Sequence, residues 1–101
     1  MKRTVGIFAR DIGIASRFLD KIIGETLYKN VSKVTKTSYK YEAELADGTI
    51  YKTVLANQSS KGTRLTDAYV HKDVEPEYVN SVIMPSIIDY DKLESRITFF
   101  E

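Results

Sequence analysis

The sequence predicts one α+β domain, residues 1–101, with a largely antiparallel sheet and a central hairpin. Its other elements are an N-terminal helix, a second short helix and a C-terminal strand. Three observations support this fold class. Apolar residues recur at helical spacing near the N-terminus, apolar and charged residues alternate around an Asp-Gly pair, and a proline-bounded helical stretch precedes a final apolar run.

The N-terminal helix is predicted over residues 11–24. Asp11 is a suitable N-cap, and Gly24 stands where a helix commonly ends. The apolar residues at helical spacing are Ile12, Ala15, Phe18, Leu19, Ile22 and Ile23. This stripe is expected to pack on a sheet of the same chain or on a second copy of the helix. The short apolar stretch before the helix, Thr4–Ala9, either forms a strand or leads directly into the helix.

The central hairpin is predicted around Asp47 and Gly48, because this dipeptide favours a two-residue type I′ turn. The β-branched residues of 31–37 predict a further strand before it. A two-residue turn pairs Leu45 with Ile50 across the hairpin. That register predicts one apolar face, made of Tyr39, Tyr41, Leu45, Ile50 and Val54.

The rest of the chain is predicted to form a strand, a helix and a final strand. The strand lies near residues 67–71, and Asp73 or Glu75 caps the helix that follows. Pro76 suits the first helical turn, where its missing N–H leaves no bond unmade, and Pro85 is expected to end the helix. The C-terminal strand is indicated by Ile97, Phe99 and Phe100.

The composition excludes several classes of protein. Cysteine is absent, so the sequence has neither a disulfide framework nor a cysteine-based metal site, which suits a reducing cytoplasm. No apolar run approaches the ~20 residues of a membrane span, and no membrane association is expected. The formal net charge is +1, so binding of a polyanion requires a local patch. A domain this small is expected to form a homo-oligomer, with Phe18 and Ile22 in the interface or in the core beneath it.

The sequence lacks the common motifs of enzymes. His71 is the single histidine, and neither a Gly-x-Ser-x-Gly elbow nor a Gly-x-x-x-x-Gly-Lys-Ser/Thr phosphate loop occurs. Asp67 and Asp73 flank His71, and these three side chains have the donor atoms for a divalent metal. Polar residues at strand ends are the commoner reason for such a pattern. We therefore predict no catalytic residue, no bound metal and no cofactor.

Residues 57–64 are the densest run of hydrogen-bonding side chains in the chain. Serine, asparagine and glycine favour turns that direct backbone N–H groups toward one point, and Lys61 and Arg64 add positive charge. Such a loop suits an anion such as a phosphate. A solvated connection is the alternative, but the loop is longer than a hairpin requires. The predicted ligand-binding residues of the loop are Asn57, Ser59, Ser60, Lys61, Gly62 and Arg64.

Three stretches of the second half resemble a pattern in small phage proteins. They are Ala-Asn-Gln-Ser-Ser-Lys-Gly-Thr-Arg at 56–64, Thr-Asp-Ala-Tyr-Val at 66–70 and Val-Ile-Met-Pro at 82–85. A stretch of phage terminase-type ATPases is also similar, but this chain lacks their phosphate loop and the Asp-Glu pair after the strand. In length and element order the chain resembles the first Thoeris anti-defence family. Its members are oligomeric phage sponges that sequester cyclic ADP-ribose-type immune signals or, in some cases, small cyclic oligonucleotides.

The resemblance implies a phage anti-defence protein that binds a small cyclic nucleotide in the host cytoplasm without cleaving it. Such a sponge needs cations for phosphate, polar groups for ribose and an aromatic ring for the base, but no nucleophile. Tyr51 is predicted on the reverse face of the hairpin, where its ring is available for stacking. The alternative function is a small phage nucleic-acid-binding accessory protein. It would use the basic strand that carries Lys29, Lys33, Lys36 and Lys40, unless those lysines only form a solvated face that resists edge pairing.

Overall fold

A computed structural model of the chain describes residues 3–37, 41–56, 65–87 and 97–101. These residues form a six-stranded mixed sheet with helices, which is the predicted α+β class. The strands are β1 (Thr4–Ala9), β2 (Val31–Lys36), β3 (Tyr41–Leu45), β4 (Ile50–Leu55), β5 (Asp67–His71) and β6 (Ile97–Phe100). Helix α1 (Ile12–Ile22) continues into a π-helical turn, Ile23–Leu27. The helical segment α2 consists of Pro76–Tyr78, the π-helical turn Val79–Ile83 and Met84–Ser86.

The sheet has the strand order β2-β3-β4-β1-β5-β6 and divides into two halves that share β4. In the antiparallel half, β3 runs antiparallel to both β2 and β4. In the parallel half, β4, β1, β5 and β6 all run in one direction. The predicted antiparallel arrangement therefore holds for the first half, which contains the predicted hairpin as β3 and β4. Thr4–Ala9, which the sequence predicted either as a strand or as a lead into the first helix, forms strand β1 in the middle of the sheet.

The sheet separates two hydrophobic clusters, one beneath each helical segment. Alternation along β1 directs Ile7 and Ala9 toward α1, where they pack with the buried Leu19. Phe8 points to the other face and packs in the cluster that contains Ile83 of α2. Both faces of the central strand β1 are therefore covered by the chain itself.

The apolar stripe of α1 packs on the sheet of the same chain, which was one of the two predicted alternatives. The other alternative was packing on a second copy of the helix. Phe18 and Ile22 are partly buried against the cluster beneath α1. Self-association of the chain stays a prediction, but an uncovered α1 stripe no longer supports it. Within the described ranges, no helix has the length and apolar content needed to cross a lipid bilayer.

The hairpin turn contains three residues instead of the predicted two. The N–H of Gly48 donates to the carbonyl of Leu45 at 3.0 Å, and the N–H of Leu45 donates to the carbonyl of Thr49 at 2.8 Å. Gly48 has φ 93°, in the left-handed region. This combination is a type I turn followed by a glycine bulge. The extra residue shifts the register by one, so that Ala43 pairs with Tyr51.

The shifted register corrects the predicted apolar face of the hairpin. Tyr41 and Tyr51 lie on the α1 face, whereas Ile50 and Val54 lie on the opposite face. A one-residue slip moves every side chain of a strand to the other face, which is why the prediction mixed the two sets. Tyr51 consequently packs against the cluster beneath α1 instead of standing on a free reverse face. Tyr39 lies outside the described residues.

Both helical segments extend beyond their predicted ends. Asp11 caps α1 as predicted, because its side chain accepts the N–H of Gly13 at 2.8 Å. Gly24 does not end the helix, since the π-helical turn continues to Leu27. Pro76 occupies the first turn of α2 as predicted, and Glu75 occupies the N-cap position without a side-chain cap bond. Pro85 lies inside the last helical turn, and the chain leaves the helix at the residue after Ser86.

Candidate functional site

The carboxyl ends of the four parallel strands meet at one edge of the sheet, which we call the carboxyl edge. Ala9, Leu55, His71 and Phe100 end their strands there. The chain continues from β1 into α1 on one face and from β5 into α2 on the other face. Ligands of sheets with parallel strands bind in the crevice that such a divergence creates. The carboxyl edge is therefore the candidate site of this fold.

Asp73 ties two turns of the carboxyl edge together. Its Oδ1 atom accepts the backbone N–H of Arg10 at 3.4 Å and lies 2.8 Å from Nδ1 of His71. The backbone nitrogen of Asp73 also lies 3.2 Å from Nδ1 of His71. Partial burial acts to raise the pKa of Asp73, but the hydrogen bonds with His71 and Arg10 outweigh burial and lower that pKa. The ionised carboxylate thus fixes the β1–α1 turn against the β5–α2 turn.

A cavity of about 190 Å³ opens beside this link and is lined by Arg10, Ala56, Val74, Glu75 and Tyr78. We call it the Arg10 cavity. The hydroxyl of Tyr78 is buried, and no described residue forms a hydrogen bond with it. Arg10 and Glu75 therefore bring one positively and one negatively charged side chain to the lining of the cavity.

A larger cavity, of about 570 Å³, lies between α1 and the carboxyl ends of β5 and β6. We call it the α1–β6 cavity. Its volume falls within the range of ~300–1,000 Å³ that is typical of small-molecule sites, whereas the Arg10 cavity is smaller. The residues that line it are Ile14, Arg17, Phe18, Lys21, His71, Phe100 and Glu101.

Aromatic rings form one wall of the α1–β6 cavity. Phe18 of α1 stacks on Phe100 of β6, with ring centroids 3.8 Å apart and an interplanar angle of 17°. The ring of His71 meets Phe100 edge-on at 5.2 Å, and Tyr69 lies 5.3 Å from Phe18. These contacts fix the orientation of the two phenylalanine rings, because each ring is held from more than one side.

The predicted loop residues Asn57, Ser59, Ser60, Lys61, Gly62 and Arg64 lie outside the described residues. The residues that flank the loop are described, and they lie at opposite ends of strand β1. Ala56 donates its N–H to the carbonyl of Ala9 at the carboxyl edge, at 2.8 Å, whereas Thr66 donates to the carbonyl of Thr4 at the other edge, at 2.9 Å. A connection between parallel strands has to return along the sheet, which explains why this loop is longer than a hairpin requires.

Tyr51, the remaining predicted ligand residue, lies near the amino end of β4. It stands five residues before Ala56, a distance of ~16 Å along a strand. With Arg3 and Tyr69 it lines a small cavity of about 30 Å³. Burial, and then the nearby Tyr69, raise the pKa of Tyr51. The structure thus places this ring in a packed environment away from the carboxyl edge.

The candidate metal donors Asp67, His71 and Asp73 do not come together. Asp67, at the amino end of β5, forms an ion pair of 2.8 Å with Arg3. His71, at the other end of the same strand, contacts Asp73. Over the described part of the chain, no three histidine, cysteine, aspartate or glutamate side chains are grouped to hold a metal ion.

Two of the four lysines of the alternative nucleic-acid site, Lys29 and Lys36, lie over tyrosine rings of the same chain. Lys36 lies 3.6 Å from the carboxylate of Asp20 and 4.6 Å from the centre of the Tyr41 ring. Lys33 stands opposite Glu44 on the neighbouring strand, and Lys40 lies outside the described residues. Acidic neighbours weaken the attraction of a lysine for a polyanion, so this geometry does not favour the alternative.

Sequence reasoning missed the basic residues that line the two cavities and the aromatic pair of the α1–β6 cavity. Arg10 directly follows an apolar strand and precedes a helix cap, a pattern that the sequence displays. Arg17 and Lys21 are four residues apart on the polar side of the predicted helix. The contact between Phe18 and Phe100 joins distant parts of the chain and leaves no local signal.

Comparison of the chain with protein-family models, with curated proteins and with solved structures gives no match.

Proposed function

We propose that this protein captures a small phosphate-bearing nucleotide signal at the carboxyl edge and holds it without cleaving it. The ligand class is a cyclic ADP-ribose isomer or a small cyclic oligonucleotide. In this proposal the protein acts as a phage anti-defence sponge, as a homo-oligomer, in the cytoplasm of the infected host. The observation that carries the proposal is the pair of cavities that flank the link between Arg10, Asp73 and His71.

Arg10 is the proposed phosphate contact. Its backbone is held by Asp73, and its exposed side chain lines the Arg10 cavity. A guanidinium presents two parallel donors to a phosphate, which gives both charge and orientation. Asn57 and Ser59 follow Ala56 closely in the sequence, so they are the loop residues proposed to bind ribose or base edges.

Binding without cleavage is the part of the proposal that the fate of the ligand tests. The sequence offers no cysteine, and the single histidine has its Nδ1 atom engaged by Asp73. A histidine held by aspartate also has the arrangement of a general base, so the fate of the ligand has to be measured directly. The proposal requires that the ligand is recovered intact from heat-denatured protein, and recovery of a cleaved product would show an enzyme.

Titration calorimetry with cyclic ADP-ribose tests the proposed site. Arg10→Ala is expected to weaken binding by roughly ten- to a hundred-fold, because a charged hydrogen bond contributes ~1.5–3 kcal/mol. Arg64→Ala tests the loop contact that the sequence predicts, and it is expected to weaken binding by a similar factor for the same reason. Lys33→Ala is the matched control and should bind like the wild-type protein.

The titration also separates the proposal from the nucleic-acid alternative. A polynucleotide binder loses affinity steeply as salt rises, because it releases many counterions, whereas a pocket for one small nucleotide loses little. Loss of binding in Lys33→Ala together with a steep salt dependence would favour the alternative. Undiminished binding by a folded Arg10→Ala protein would place the site away from the Arg10 cavity.

A further inference from the structure

We infer that the α1–β6 cavity is a binding site for a planar ring that carries a negatively charged group. The inference rests on the proposed function for the identity of the ligand, since a nucleotide supplies both parts. It deepens that function by naming the place of each part. The base lies against the aromatic wall, and an adjacent phosphate lies between Arg17 and Lys21.

The wall of the cavity is apolar and its rings are held in fixed orientations. Phe18 and Phe100 are stacked nearly parallel, and the rings of Tyr69 and His71 hold them in place from two sides. Ile14 adds an aliphatic side chain to the same cavity. Rings that are already fixed lose little freedom when a base packs against them, which favours binding.

The two cations of the cavity lie next to each other on α1. Arg17 and Lys21 are four residues apart, so their side chains project from the same side of the helix. Neither forms an ion pair with a described residue. Like charges at this spacing repel each other, although Lys21 also gains from its place in the last turn of the helix. An anion bound between the two side chains would remove the repulsion.

The nearby acids leave this pair of cations available. Asp20 lies between Arg17 and Lys21 in the sequence, but it accepts the hydroxyl of Tyr41 at 2.7 Å and lies 3.6 Å from Lys36. Glu101 lines the β6 side of the cavity and supplies one negative charge against the two positive ones. The balance therefore favours an anionic ligand over a neutral one.

Methyl NMR spectroscopy with adenosine 5′-monophosphate as the probe tests the inference. Ile14 lines the α1–β6 cavity and Val74 lines the Arg10 cavity, so their methyl signals report the two cavities separately. We expect the probe to shift the Ile14 signal through the ring current of the base. Adenosine and inorganic phosphate, which each supply one part only, are expected to bind at least about tenfold more weakly.

Variants make the test specific. The double substitution Arg17→Gln and Lys21→Gln is expected to weaken binding of the probe by at least about tenfold, because both charges are removed from exposed positions. Lys33→Gln is the control and should leave the titration unchanged. An Ile14 shift that the double substitution does not weaken would overturn the inference.

The two proposals fail in different ways. If the probe and cyclic ADP-ribose both shift Val74 but not Ile14, the proposed function stands and the inference is wrong. If the probe shifts Ile14 and Arg10→Ala does not weaken binding of cyclic ADP-ribose, the inference stands and the role of Arg10 is wrong. If neither nucleotide shifts either signal, both proposals are wrong.

Discussion

The antiparallel and parallel halves of the sheet are covered differently. In the parallel half, Val5, Ile7, Phe8 and Ala9 of β1 are each at most 1% exposed, because α1 and α2 cover both faces. In the antiparallel half, β2 is an edge strand whose Val34 is 48% exposed. Exposure also follows position in the sheet, because Phe99 of the edge strand β6 in the parallel half is 63% exposed and Ala43 of β3 in the antiparallel half is fully buried. Both larger cavities lie beside the parallel half.

The two halves also differ in how they are assembled. The antiparallel half is assembled from neighbouring segments through a tight turn, so its pairing depends on local chemistry. The parallel half brings together segments that are far apart in the sequence, and its carboxyl edge collects Arg10, His71 and Asp73. Substitutions in the two halves should accordingly have very different consequences.

The largest expected effect separates the two halves directly. Phe8→Ala should lower the free energy of unfolding by ~3–5 kcal/mol, because Phe8 is fully buried in the cluster beneath α2. Val34→Ala in the exposed edge strand should change it by no more than ~0.5 kcal/mol. Urea unfolding of both variants measures the difference. Equal losses in the two proteins would contradict the comparison.

The next effect concerns the turn on which the antiparallel half depends. Gly48→Ala should lower the free energy of unfolding by ~1–2 kcal/mol, because residues with a Cβ atom resist the left-handed conformation. Gly24→Ala is the matched control, since a Cβ atom at Gly24 meets nothing within 4 Å. It should be neutral or stabilising, because alanine favours helix more than glycine does. A thermal midpoint that Gly48→Ala leaves unchanged would contradict the three-residue turn.

The smallest effect concerns the bond that joins the two halves through α1. The hydroxyl of Tyr41 in β3 donates to Oδ1 of Asp20 at 2.7 Å. Tyr41→Phe should lower the free energy of unfolding by ~1 kcal/mol at neutral pH, because the aromatic ring remains and only the hydrogen bond is lost. Chemical unfolding measures this loss. Its absence would show that the bond adds nothing beyond the packing of the ring.

The same bond predicts a dependence on alkaline pH. Burial, and then the hydrogen bond to Asp20, raise the pKa of Tyr41 to about 12 in the folded protein, above the ordinary value of ~10. The neutral hydroxyl is favoured by folding, so its contribution is complete below pH ~10 and is lost as the pH rises toward ~12. The difference in stability between wild type and Tyr41→Phe should therefore shrink over this interval. A difference that stays constant would contradict the raised pKa.

Sequence reasoning predicted the elements better than their pairing. The strand over residues 67–71, the cap at Asp11 and the hairpin were predictable, because each has a local signal in turn chemistry or apolar spacing. The register of the hairpin was missed by one residue, since an Asp-Gly pair serves both two-residue and three-residue turns. The parallel pairings were missed because no local pattern specifies which distant strand lies beside β1.

The candidate site was less predictable than the fold. The loop of residues 57–64 was predicted as a site because of its hydrogen-bonding side chains. It connects β4 with β5, and a connection between parallel strands is longer than a hairpin turn. Tyr51 was placed on the wrong face by the register slip. The α1–β6 cavity depends on the approach of β6 to α1, and neither segment shows that approach in its own sequence.

The position of β1 also determines the order in which the sheet can be completed during synthesis. Its two neighbours, β4 and β5, both follow it in the chain, so the central strand is made before either partner exists. The β3–β4 hairpin can pair as soon as its own residues are available, because its contacts are local. The first partner of β1, strand β4, is complete only at residue 55, and the second, β5, only at residue 71, so β1 stays without a strand partner until β4 is made. The apolar strand at the centre of the folded sheet is thus the segment left unpaired longest in the nascent chain.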